Sequence, residues 1–186
     1  MVENNIKAIP FSHTEMNTWR ENFVGAQVLD EANNFLITGA IDDIWIYTDG
    51  EDKDKLVIVD YKATSKDSEV DLDSEWQDGY KRQMEIYQWI FRRLGFPVSD
   101  TGYFVYANGL RDKEKFNNAL EFKIKVIPYV GKTEWIEKTL ENIKKCLEDD
   151  RIPKENDTCD YCSYRGKAGK AFKDHLDKNS DKGLFA

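Results

Sequence analysis

Apolar residues fall in short alternating or continuous blocks over the first two thirds of the chain and take helical spacing in two places. Phe35 to Tyr47 is rich in Ile, Trp and Tyr and predicts one strand. Thr48 to Lys55 is polar and predicts a turn. Leu56-Val57-Ile58-Val59-Asp60-Tyr61-Lys62 predicts a second strand, paired with the first as a hairpin. Short strands are expected upstream, near Ile6–Ile9 and Phe23–Val28. After a polar loop from Ala63 to Asp73, Ser74-Glu75-Trp76-Gln77 fits a capping box, and a helix should follow to about Leu94. Gly95 and Pro97 end it. Tyr103–Tyr106 and Leu120–Val126 predict two more strands, and a helix from about Thr133 to Glu148 places Ile136, Leu140, Ile143 and Leu147 on one face. The order of elements predicts an α/β fold, a mixed β-sheet with helices packed on it. Residues 1–166 are expected to form a single domain, and 167–186, rich in Lys, Gly and Asp, a flexible tail.

Composition narrows the class. The length of 186 residues suits one core, and 13% aromatic residues is too much for a disordered chain. No stretch reaches the length of a membrane span, and the N-terminus lacks the features of a signal peptide. Three cysteines make no disulfide framework. The expectation is a cytoplasmic protein without membrane contact. A net charge of -8 argues mildly against a strong nucleic-acid binder, although a local basic patch is compatible with it.

The candidate chemistry lies where the patterns break. The strand from Leu56 starts as an apolar run and ends Asp60-Tyr61-Lys62. Residues two apart share a face, so Asp60 and Lys62 point the same way. Charges at the end of a buried strand are costly without partners or a job. The preceding strand carries Gly39-Ala40-Ile41-Asp42-Asp43. A hairpin symmetric about its turn brings Asp42 to within one residue of lying opposite Asp60, about 5 Å at Cβ for a direct pair. Carboxylates that close repel unless a cation lies between them, and carboxylate ligands suit Mg²⁺ or Mn²⁺. Asp43 points to the other face. The bland alternative is a solvated acid and a surface ion pair. On the following helix Tyr80, Gln83, Tyr87, Ile90 and Leu94 form one stripe, in which Gln83 is a polar member needing partners.

Gly39-Ala40-Ile41-Asp42, then Asp60-Tyr61-Lys62, then Gln83-x-x-x-Tyr87 resembles the RecB-type branch of the PD-(D/E)XK nucleases, and is similar to the CRISPR-adaptation nucleases. The resemblance spans about residues 36 to 165. It implies the restriction-endonuclease-like fold and a nuclease acting on DNA, with RNA left open, exonucleolytic rather than endonucleolytic, within a DNA-processing complex of further proteins. It implies Asp42 and Asp60 as metal ligands, with the Tyr61 carbonyl as a third. Lys62 would assist the attacking water, and Gln83 and Tyr87 would line the site.

Two features depart from that branch. Its members often hold an iron–sulfur cluster with four cysteines, whereas here Cys159 and Cys162 lack their usual third partner, the place being Ala168, and no cysteine precedes Cys146. No cluster is expected. Cys146 is expected in the core, and Tyr161 and Tyr164 are expected to pin the C-terminal segment by packing. The upstream acid or His of the branch has four candidates, His13, Glu15, Glu21 and Glu31, none in an alignable motif. His13 is expected at the surface. The alternatives to an active nuclease are a catalytically weak or inactive nucleic-acid-binding module with the same fold, and an interaction domain whose acids are structural.

Overall fold

The computed structural model describes residues 4–74, 77–111 and 118–180. They fall into two compact units that meet in sequence at Asn142 and Ile143. The first unit holds a five-stranded sheet in the order β1 (Ala8–Pro10), β4 (Asp43–Tyr47), β5 (Leu56–Thr64), β6 (Thr101–Gly109), β7 (Phe122–Val130). Neighbours are antiparallel except β5 and β6, which are parallel and joined through helix α2 (Asp78–Arg93). This is the expected mixed sheet with helices, consistent with the restriction-endonuclease-like architecture.

β5 is central because its sequence can be buried on both faces. Leu56 and Ile58 pack on one face with Met84, Tyr87, Ile90 and Phe91 of α2. Val57 and Val59 pack on the other with Ala8 and Trp45. Helix α2 starts at Asp78 with Gln77 as N-cap and no side-chain cap bond, rather than from the expected N-cap Ser74; the Gln77 side-chain carbonyl accepts from the Ser74 N–H at 3.0 Å. The intervening Glu75 and Trp76 lie outside the described residues. Gly95, at φ +90°, closes the helix in a conformation open to glycine.

The continuous strand expected over 35–47 is broken. β3 (Phe35–Gly39) leaves the main sheet and pairs with β2 (Ala26–Asp30), and β4 begins only at Asp43. The short helix α1 (Met16–Arg20) causes the break by taking the corner's backbone groups. The Ile41 N–H bonds the Trp19 carbonyl at 3.0 Å, and Arg20 Nε donates to the Asp42 carbonyl at 3.0 Å. Gly25 permits the close crossing, since a Cβ there would lie 2.6 Å from the Gly39 carbonyl. The β4–β5 register also differs by one residue from a symmetric hairpin. Asp43 faces Val59, across a turn that holds two positive-φ residues, Gly50 at +86° and Asp54 at +66°. Continued one step, that register sets Asp42 opposite Asp60.

The helix α3 (Trp135–Glu148) forms as expected, but only its first half is covered: Ile136 is buried and Leu140 partly so, whereas Ile143 and Leu147 are exposed. In the second unit α4 (Asp160–Ser180) runs on through the segment expected as a tail, of which residues 181–186 lie outside the described ones. Tyr161 and Tyr164 are 88% and 74% exposed, and Cys146 is exposed rather than in a core. Among the described residues no helix is long and apolar enough to cross a membrane.

Candidate active site

Asp60 and Lys62 emerge on the α2 side of the sheet, as their two-residue spacing requires. Asp60 is 3% exposed, and its Oδ2 lies 2.5 Å from Lys62 Nζ. That oxygen has no other hydrogen-bond partner among the described residues. Burial raises the Asp60 carboxyl above the ordinary range, the Lys62 ammonium opposes the rise, and the Asp42 charge adds to it. Asp60 is thus a buried acid paired with one ammonium and within reach of the charge of a second acid.

Asp42 sits at the corner between β3 and β4, exposed, with its Oδ2 accepting from the Tyr61 N–H at 2.7 Å. In an extended strand one residue's N–H and C=O point to the same side. The Tyr61 carbonyl thus turns toward Asp42, beyond the last β4–β5 pair. The Asp42 carboxylate and a main-chain carbonyl on the same strand edge are hard oxygens, the kind of donor that suits Mg²⁺ or Mn²⁺.

Asp43 stands on the opposite face and has no lone pair to spare. Its Oδ1 accepts from Arg20 Nη2 and from the Ile44 N–H at 3.0 Å, and its Oδ2 from Trp45 Nε1 at 3.2 Å and the Tyr61 hydroxyl at 2.8 Å. Burial, followed by this bond to Asp43, pushes the Tyr61 phenol up to about 12.

Helix α2 closes the other side. Lys62 Nζ approaches Gln83 Oε1 at 3.4 Å and stands 4.5 Å over the Tyr80 ring. Gln83 Nε2 donates to the Tyr87 hydroxyl at 2.8 Å. The polar member of the helix stripe thus finds its partners in Lys62 and Tyr87. Burial raises the Tyr87 phenol, with the charges of Asp60 and Asp42 adding to it and Gln83 opposing. The Tyr87 ring fits because residue 39 is glycine: a Cβ there would meet Tyr87 Cε1 at 2.7 Å. Beside them opens a cavity of about 470 Å³, lined in part by Asn22, Thr38, Arg82, Gln83 and Tyr87.

The upstream candidates stay apart from this cluster. His13 is half-buried rather than at the surface, stacked on Trp19 at 4.5 Å between ring centroids. Glu15 and Glu21 flank α1 and are exposed. Glu31 lies in the β2–β3 turn. Among the described residues no three His, Cys, Asp or Glu side chains are grouped as a metal would require. Cys159 and Cys162 lie together at the start of α4, where hydrogen bonds from the Cys162 amide and thiol lower the Cys159 thiol. Sequence patterns gave no sign of Arg20: it is one basic residue at the end of a short helix, and only the folded corner gives it partners.

Comparison with known families matches residues 4–166 to the model of the PD-(D/E)XK nuclease superfamily. That span contains both acids, Lys62 and the α2 residues. No curated protein and no solved structure matches significantly.

Proposed function

The chain belongs to the PD-(D/E)XK nuclease superfamily, and we propose that it hydrolyses phosphodiester bonds in DNA at a divalent-metal site built on Asp42 and Asp60. The superfamily implies metal-dependent phosphodiester hydrolysis; the assignment to this chain's residues rests on their geometry. The observation that carries it is the buried Asp60 Oδ2, which has the Lys62 ammonium at 2.5 Å and no hydrogen-bond partner besides it among the described residues, with the charge of Asp42 close enough to act on it. A carboxylate is kept ionised in such a place at a cost, and a bound cation offsets that cost.

In this reading Asp42, Asp60 and the Tyr61 carbonyl hold Mg²⁺ or Mn²⁺. The cation supplies Lewis acidity toward water and phosphate. Lys62 orients the attacking water and places a fixed positive charge where negative charge develops on the phosphate. Gln83 holds Lys62 in register through its carbonyl and anchors itself on Tyr87, so the helix and the strand keep one spacing. Gln83, Tyr87 and Arg82 face the cavity that would receive the nucleic acid.

The overall charge of -8 does not describe the end of the sheet beyond Lys62. There a second cavity of about 470 Å³ is lined by Lys66, Arg111, Lys123 and Lys125, against the acids Asp67 and Glu69. A local excess of basic side chains suits a phosphate backbone. The motif order resembles that of the RecB-type branch and supports the further reading that the chain acts from DNA ends.

The test is incubation with linear and circular, single- and double-stranded DNA in Mg²⁺ or Mn²⁺. Cleavage that needs the metal and is lost in Asp60→Asn and Lys62→Met is expected. Cleavage surviving both substitutions refutes the assignment. Salt-dependent DNA binding without any cleavage favours instead a binding module that keeps the fold.

A further inference from the structure

We infer that Arg20 is a positioning residue for the metal site, acting from behind it through Asp43 and the Tyr61 hydroxyl. The inference rests on the metal-site reading above and goes beyond it to a residue and a face which that reading does not use.

Four hydrogen bonds close a ring around the corner. Arg20 Nε donates to the Asp42 carbonyl at 3.0 Å. The Asp42 carboxylate accepts from the Tyr61 N–H at 2.7 Å. The Tyr61 hydroxyl donates to Asp43 at 2.8 Å, and Asp43 accepts from Arg20 Nη2. The ring ties together α1, the β3–β4 corner and the end of β5. It passes through both groups proposed to approach the cation from the backbone side, the Asp42 carboxylate and the Tyr61 peptide.

The physical need is clear from exposure. Asp42 is exposed on a corner without strand partners, where a carboxylate would sample several rotamers. Freezing it when the cation arrives costs entropy. The ring fixes the Asp42 backbone on one side and its carboxylate on the other beforehand, so less ordering is left to the binding step. Groups behind a ligand commonly tune metal affinity in this way. Arginine suits the role because its planar fork reaches two acceptors at once, whereas a lysine ammonium makes a single flexible contact. Asp43 suits it because it is 9% exposed and every donor it meets belongs to this network or to its own strand. The anchor end of Arg20 is firm, since Met16 and Trp19 of the same helix turn are buried.

The experiment is calorimetric titration of Mn²⁺ into the full chain as wild type, Arg20→Gln, Arg20→Lys, Tyr61→Phe and the double variant Arg20→Gln/Tyr61→Phe. Melting curves in a chelator report whether each variant folds. Arg20→Gln should weaken Mn²⁺ binding by about tenfold or more. Arg20→Lys should not restore it. Tyr61→Phe removes one oxygen and should weaken binding several-fold, with the double variant falling short of the product of the singles because both cut one ring. In cleavage assays the Mn²⁺ requirement rises while turnover at saturating Mn²⁺ recovers, a split that loss of folding would not give. Tyr61→Phe, the gentlest change, decides the matter should Arg20→Gln fail to fold. Wild-type binding with Tyr61→Phe unchanged overturns this inference alone. A wild-type chain that takes up no Mn²⁺ overturns the metal-site reading and this inference with it.

Discussion

Replacing Lys62 by Met should weaken the protein without metal, tighten its grip on metal and abolish cleavage. The three effects share one cause. Lys62 Nζ lies 2.5 Å from the Asp60 Oδ2 that the cation would also use, in a pair whose side chains are 18% and 4% exposed. Removing one partner of such a pair leaves a buried charge uncompensated, which costs about 3–5 kcal/mol when burial is complete. Because Lys62 keeps some solvent contact, about 2–4 kcal/mol is expected here at neutral pH. The loss depends on pH in a definite direction. The Asp60 carboxyl already lies above its usual value through burial, and Lys62 is the main factor holding it down. Without Lys62 it rises further. Below the unfolded-state value the group is protonated in both states and the penalty vanishes. It grows as pH climbs through the folded-state value. The gap between wild type and variant should therefore close on acidification toward pH 4.

Metal binding runs the other way. An ammonium and a carboxylate about 4 Å apart attract by about 4 kcal/mol at an effective dielectric constant near 20. Solvation of the displaced lysine returns part of that, leaving about 1–2 kcal/mol, or about 5- to 30-fold in affinity. Calorimetry with Mn²⁺ and melting in a chelator measure both quantities on one sample. A Lys62→Met variant that binds Mn²⁺ no more tightly than wild type, and melts alike in the chelator at neutral pH, refutes the coupling. So does a variant that still cuts DNA at the wild-type rate.

Other substitutions separate the site from its support. Asp42→Asn or Asp60→Asn should each cut metal-dependent hydrolysis by at least about a hundredfold and remove the metal-induced rise in melting temperature, read by gel assay and thermal shift. Gly39→Ala drives a methyl into the Tyr87 ring and to 3.0 Å from Ile90 Cδ1, and should cost about 1–3 kcal/mol in chemical denaturation. Its activity should fall as well, because Tyr87 carries Gln83; equal stability would show that the ring simply moves aside. Glu85→Ala should cost about 3–5 kcal/mol, since that buried carboxylate accepts from the Tyr129 hydroxyl at 2.6 Å, the Lys132 N–H at 3.0 Å and Trp135 Nε1 at 2.7 Å. A melting temperature within 1–2 °C of wild type, against the several degrees such a loss implies, would refute that network.

Much of the site was legible because its signals are local. The apolar run of β5 dictates a strand buried on both faces, and its two-residue period puts Asp60 and Lys62 together whatever lies around them. The three- and four-residue steps of α2 likewise align Gln83 with Tyr87. The same period-two logic set Asp42 and Asp43 on opposite faces before any contact was known. It could not reveal that the block from Phe35 to Tyr47 is two strands in two sheets, because alternation looks the same whichever partner a strand takes. That division was decided by α1, which captures the backbone of Ile41 and Asp42, and by the close approach of Gly25 to Gly39. The register that, continued one step, sets Asp42 opposite Asp60 depended on two positive-φ residues in the turn, Gly50 and Asp54. Arg20 had no periodicity to betray it. Its role exists only where a helix end, a corner and a strand end meet, and such long-range encounters leave no pattern along the chain.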